Sequence, residues 1–163
     1  MLPQAKGDAA AGNKRRTKTE SKSMNTLHVD TSPSAEDAEF LEDQINRYNV
    51  AVTGIGDWQA LAIVLRDDQG AIVAGVSGGT WAGYLEIGAL WVSDSRRGQG
   101  LGRQLLLAAE AEAARRGCDY VLLDTHDFQA PGFYQKLGYT VLGTFAGLAG
   151  GHARYFMQKR LRA

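Results

Sequence analysis

The order of apolar and polar positions sorts the chain into elements. Residues 1 to about 25, MLPQAKGDAAAGNKRRTKTESKSMN, have no apolar period, so they are expected to form a disordered tail ahead of a single domain over residues 26 to 163. Leu27 to Thr31 reads as a short strand. Ser34 followed by Asp37 is a capping-box-like start, and Ala38, Leu41, Ile45 and Tyr48 recur at helical spacing, which predicts a first helix ending near Asn49. Ala60 to Arg66 and Ile72 to Gly78 predict strands around the turn DDQG. A tight connection through TWAG leads into Tyr84 to Val92, and such short links imply three antiparallel neighbours.

A second helix follows in LGRQLLLAAEAEAARRG. Its apolar stripe is Leu101, Leu105, Ala108, Ala109 and Ala113; Arg115 and Arg116 sit at the negative end, and Gly117 stops it. Tyr120 to Thr125 is apolar enough for a buried parallel strand. A short helix begins around Ala130, with Pro131 in its first turn and Gly138 at its end. Tyr139 to Thr144 and Arg154 to Lys159 form a last pair of strands joined by FAGLAGGHA. Along the third long strand, alternation sets Leu85, Ile87, Ala89 and Trp91 against Glu86, Gly88, Leu90 and Val92, so Glu86 is expected to be buried on a largely apolar face.

Composition narrows the class. The 163 residues, 44% hydrophobic, suffice for one packed domain and no more. No apolar run approaches the ~20 residues that span a bilayer, and no apolar segment follows the N-terminal charges as in a secretory signal. The single cysteine, Cys118, allows no internal disulfide and points to a reducing, cytoplasmic setting; at a strand start it reads as a small buried hydrophobe. The zero net charge conceals a segregation. Residues 1 to 26 hold six Lys/Arg against two Asp/Glu, a net of +4, which leaves 12 basic and 16 acidic residues and a net of −4 in the rest. NKRRTK in the tail could meet nucleic acid, but so short a run is ordinarily solvated, so neither nucleic acid nor membrane is an expected partner. His126 and His152 have no neighbours at metal-ligand spacing, and no metal is expected.

The candidate chemistry lies in SDSRRGQGLG, between the third long strand and the second helix. Gly98, Gly100 and Gly102 let backbone N-H groups face a ligand, and the helix N-terminus adds the positive end of its dipole, so the loop is an anion seat suited to phosphate. Arg97, Gln99, Leu101 and Arg103 complete it. A dinucleotide fingerprint fails because its third glycine falls on Arg103, and no P-loop tripeptide is present.

The residues do fit Arg/Gln-x-x-Gly-x-Gly/Ala, as Arg97, Gly100 and Gly102, which resembles the coenzyme A pyrophosphate loop of the GNAT N-acetyltransferase superfamily. Glu86 stands eleven positions ahead of Arg97, where many members carry an acidic residue, and APGFYQKLGY resembles the family's Ala-x-x-x-Tyr-x-Lys-x-Gly-Phe/Tyr segment. Order and spacing agree from about Leu27 to Leu161.

The resemblance implies an α/β fold: a mixed sheet of about seven strands with flanking helices, its two parallel central strands splaying after Val92 to admit pantetheine. It implies acetyl-CoA as co-substrate, with backbone groups around Leu90, Trp91 and Val92 meeting the pantetheine amides. Glu86 would be the general base, with Tyr134 donating to the coenzyme A sulfur. Asp127 stands where many relatives keep an asparagine against pantetheine, which puts that contact in doubt. The segment before the second strand would wall the acceptor, bringing in Asp57 and Trp58, and His152 is a further candidate for holding it. The expected reaction is direct transfer, in a ternary complex, to a primary amine on a small molecule or a protein. A homodimer fits this reading, and the alternative is a non-catalytic coenzyme-A-binding sensor or interaction module.

Overall fold

The sheet grows outward from one hairpin. In the computed structural model, which describes residues 27–161, Ala82 (φ 49°) and Gly83 (φ 83°) form a two-residue left-handed turn, the conformation that suits the twist of paired strands. It joins β2 (Ile72–Trp81) to β3 (Tyr84–Val92). β1 (Gln59–Arg66) lies against β2 across a turn in which the Asp67 carboxylate accepts from the N-H groups of Gln69 and Ala71. The chain then crosses over through α2 (Leu101–Arg115) and returns as β4 (Tyr120–His126), parallel to β3. β5 (Thr140–Phe145) and β6 (Arg154–Arg160) close the order β1-β2-β3-β4-β6-β5, in which every other neighbouring pair is antiparallel. α1 (Ala35–Thr53) precedes the sheet, and α3 (Pro131–Lys136) links β4 to β5. Among the described residues no helix is long and apolar enough to cross a membrane.

One face of the sheet is packed under α2. Leu106, Ala109 and Ala113 are fully covered and share a core with Val76, Leu85, Val121 and Met157, each large side chain there contributing about 1.5–3 kcal/mol of transfer free energy. The helical stripe differs from the expected one: Leu106 and Glu110 are buried, whereas Ala108 is exposed. Cys118 is buried in the same core.

Six strands are present among the described residues, not about seven. Leu27 to Thr31 forms no strand: Leu27 and Val29 are 96% and 82% exposed, so the segment has neither a ladder nor a core to hold it extended. The expected tail over residues 1–25 lies outside the described residues. α1 begins as expected, with the Ser34 hydroxyl accepting from the Asp37 N-H, but runs on to Thr53 because its stop is Gly54 in the left-handed region (φ 71°). None of its residues is buried, and Leu41, Ile45 and Tyr48 stay more than half exposed.

Under α2 lies a buried polar cluster. Glu110 (7% exposed) accepts from the Tyr139 hydroxyl at 3.0 Å and from the Lys159 ammonium at 2.6 Å, tying α2 to β6 and to the start of β5. Burial and the Glu110 charge raise the Tyr139 phenol far above its ordinary value, so it stays a donor. Removing one partner of such a pair leaves the other charge uncompensated. Glu110→Ala is expected to lower stability by about 3 kcal/mol, at the lower end for buried pairs because Lys159 keeps some solvent access. Urea titration should show part of that loss recovered in Glu110→Met/Lys159→Met, where no charge is stranded and only the Tyr139 hydroxyl loses its acceptor.

Candidate active site

The ladder between β2 and β3 slips once, and the slip organises the site. Ser77 pairs with Ala89 and Gly78 with Ile87, which leaves Gly88 as a β-bulge. The bulge reverses the alternation. Before it Leu85 and Ile87 are buried; after it Leu90 and Val92 pack against the core, and Trp91 is half exposed. The unbroken alternation read from the sequence, with Ala89 and Trp91 beside Leu85 and Ile87, is therefore corrected at Gly88. Gly78 permits the close approach, since a Cβ there would collide with the Glu86 carbonyl oxygen.

A bulge also bends its strand, and β3 parts from β4 at this point. Their parallel ladder runs from Tyr84↔Tyr120 to Ile87↔Leu123 and goes no further. The gap thus opens after Ile87, five residues earlier than the expected Val92. Glu86, paired with Leu122, stands one position before the opening.

At the far end of β3 lies the glycine-rich loop. Gly98 (φ 74°) and Gly100 (φ 77°) hold left-handed conformations that other residues adopt only with strain. The first donor of α2 is the Gln104 N-H, which meets the Gly100 carbonyl, so the N-H groups of Gly98, Gln99, Gly100, Leu101, Gly102 and Arg103 have no acceptor among the described residues. Side chains brace the loop from behind. Arg97 donates to the Val92 carbonyl at 3.2 Å and pairs with Asp94 at 2.8 Å, and Gln99 donates to the Ser95 carbonyl. Arg103 is exposed and in no ion pair among the described residues. The missing Cβ of Gly102 points toward Phe133, 3.5 Å away, and Val92, with room for ordinary contact. Beside the loop the buried Ser93 hydroxyl oxygen has no hydrogen-bond partner. Six free amides, a helix N-terminus and an orphaned hydroxyl make a seat for an anion with several oxygens.

α3 brings Tyr134 to the core, 9% exposed, with its ring edge-on to Phe133 and Tyr139. Burial, then the nearby Asp124 charge, raise its phenol above the ordinary value, so it keeps its proton at neutral pH. Asp124 itself is gripped by two hydrogen bonds from the Arg154 guanidinium.

The face of β3 away from α2 borders a groove of about 650 Å³ under α1. Glu86 lies in it and is exposed, which corrects its expected burial: α1 stands off the sheet. Trp58 lines the groove. Trp81, Tyr84 and the acidic face of α1 line it too, and sequence reasoning missed them, because a helix's polar face carries no mark that tells a groove wall from a solvated surface. Asp57 is engaged elsewhere, its carboxylate accepting from the Ala82 N-H at 3.0 Å to fix the hairpin turn. His152 and Asp127 pair with each other at 3.2 Å, and Phe128 packs against both His126 and His152. Partial desolvation opposes it, but the His152 contact and the backbone at Ala153 and Phe128 hold the Asp127 carboxyl below its ordinary value. Neither residue lines the groove.

Comparison with known proteins gives one answer. The model of the acetyltransferase (GNAT) family matches residues 22–139. An acetyltransferase of Agrobacterium fabrum is 34% identical over 137 residues, which cover 84% of this chain and 99% of that protein. The blasticidin-S acetyltransferase of Streptomyces morookaense is 36% identical over 58% of this chain and 70% of its own. A crystal structure from Agrobacterium tumefaciens, assigned as an acetyltransferase, superposes with a TM-score of 0.78 at 34% identity, over 84% of this chain and 99% of that one.

Two adjacent glycines should respond differently to one methyl group. Gly78→Ala puts a Cβ into backbone that cannot move aside, and is expected to cost about 1–3 kcal/mol in denaturant titration. Gly79→Ala would meet only the Trp58 ring, which is 60% exposed and can swing away. Its stability should change by less than about 0.5 kcal/mol, while tryptophan emission shifts as the ring leaves the groove.

Proposed function

The chain belongs to the acetyltransferase (GNAT) family and is an acyl-CoA-dependent acetyltransferase, and from that premise we propose direct transfer from acetyl-CoA to a primary amine in a ternary complex. One observation supports this above the rest: a run of six unpaired amides at the end of β3, with Glu86 beside the gap between β3 and β4 at its other end. A long ligand with an anionic head and a reactive tail suits that layout.

The residues present fit acetyl-CoA. The amides of Gly98 to Arg103 would hold the pyrophosphate, and the Ser93 hydroxyl is free for a further polar contact. Backbone from Leu90 to Val92 borders the gap for the pantetheine arm, although the Val92 carbonyl is already taken by Arg97. Asp127 is committed to His152, so it is not proposed as a contact. When bound, acetyl-CoA supplies the acetyl group as a thioester.

Two side chains then move protons. An alkyl amine, with a pKa near ~10, arrives protonated, and Glu86 is open to the groove and unpaired, so it accepts that proton directly or through water. Tyr134 keeps its proton at neutral pH, as a donor to the departing sulfur must. Cys118 is buried in the core, so no covalent relay through it is proposed. The acceptor is taken to be a small molecule, as the name of the blasticidin-S relative suggests.

Hydrogen bonds to a charged group contribute ~1.5–3 kcal/mol each, an exposed ion pair only ~0–1. Calorimetric titration with acetyl-CoA should therefore show Gly100→Val losing at least about 100-fold in affinity while still folding, at about 1–2 kcal/mol of backbone strain. Arg97→Ala should lose less than about tenfold, because its guanidinium is spent on Val92 and Asp94. The reverse ranking would overturn the amide account. Glu86→Gln and Tyr134→Phe should each lower kcat by about 10²–10⁴ with coenzyme affinity nearly unchanged; equal loss in both quantities would remove the proton-transfer roles.

A further inference from the structure

The groove beside Glu86 carries more negative charge than acceptance of one amine requires. Resting on the acceptor reading above, we propose that the acceptor is an organic dication, with a second ammonium or guanidinium group held against α1 while the amine to be acetylated lies at Glu86. Glu39, Glu42 and Asp43 occupy positions i, i+3 and i+4 and so share one face of α1. That face and Glu86 border the same volume.

These four carboxylates lack the cationic partners that five others of the chain have. Asp94, Glu110, Glu112, Asp124 and Asp127 each stand within ion-pair distance of an Arg, Lys or His side chain. Glu39, Glu42, Asp43 and Glu86 form no ion pair or side-chain hydrogen bond among the described residues, and no Lys or Arg lines the groove. Like charges facing one cavity repel, and a cation between them relieves that repulsion.

The remaining wall is aromatic, which separates this groove from an ordinary solvated acidic face. Trp58, Trp81 and Tyr84 line the cavity, and aromatic rings attract cations. A metal ion suits the groove less well, because no three His, Cys, Asp or Glu side chains among the described residues are near enough to hold one. Carboxylates spread over a cavity of about 650 Å³ instead match an extended small molecule with separated charges.

The chemistry balances with one cation consumed. A C-N bond forms and the thioester C-S bond breaks; the ammonium gives its first proton to Glu86 and so to solvent, the departing sulfur takes a proton from Tyr134, and the second proton, shed by the nitrogen as the amide forms, restores Tyr134. The second cationic group is unchanged, so the product keeps one charge fewer than the acceptor and is held less tightly.

The test compares cadaverine with the amino alcohol of equal length in which a hydroxyl replaces one ammonium. Both are titrated into the full chain with coenzyme A present, followed by tryptophan emission and by calorimetry. The diamine is expected to bind at least about tenfold tighter, about 1.4 kcal/mol, with the preference falling as salt rises. Glu42→Gln/Asp43→Asn should shrink the preference to less than about threefold; both residues are exposed, and circular dichroism should show the fold intact. Equal affinities, or a preference that survives in the variant, would overturn the proposal. Acetyl transfer to the amino alcohol as efficient as to the diamine would leave the transferase reading standing and sink this one. A diamine preference without transfer to either amine would do the opposite.

Discussion

The approach of β2 to β3 at Gly78 and Gly88 is the constraint on which the site depends. Without a Cβ, Gly78 accepts the Glu86 carbonyl at a distance no other residue tolerates, and the extra residue Gly88 bends β3 away from β4. The parallel ladder stops at Ile87 as a result. The same bulge reverses which side chains face the core, so Glu86 projects into the groove while Leu90 and Val92, a few residues on, close the hydrophobic layer beneath the glycine-rich loop. A backbone irregularity thus sets the gap, the carboxylate beside it and the support of the loop together.

The molecule divides its electrostatics between two ends of one strand. Unpaired N-H groups and a helix N-terminus gather partial positive charge at the end of β3, while carboxylates gather around Glu86. Among the described residues neither end is neutralised: Arg97 is turned back onto Val92 and Asp94, and the acidic groove has no basic side chain in its wall. Such an arrangement favours an anion at one end of the strand and a cation at the other. Tyr134 is held in aromatic packing, beside a polar cluster of Glu110, Tyr139 and Lys159 that fixes α2 to β6.

Other polar residues brace the scaffold. Asp57 locks the turn that starts β3, and the Trp81 indole donates to the Ile55 carbonyl, so the segment following α1 is pinned to the β2–β3 hairpin. Asp127 and His152 join the end of β4 to the loop before β6. Each is a polar residue that already has a hydrogen-bond partner within the fold, and that commitment is invisible in a linear pattern.

The sequence by itself determined the loop, the order of elements and the family. Those depend on local rules: glycines where φ is positive, a capping serine three residues before an aspartate, period two giving way to period 3.6. What it could not determine arose from contacts between distant segments. The bulge at Gly88 follows from how β2 and β3 settle against each other, and it shifted both the alternation and the start of the gap. The exposure of Glu86 follows from where α1 lies, and the failure of Leu27 to Thr31 to pair follows from there being nothing to cover it. Only the tertiary structure decided which carboxylates share a cavity, because Glu39, Glu42 and Asp43 are more than forty positions from Glu86 and meet it only across the groove.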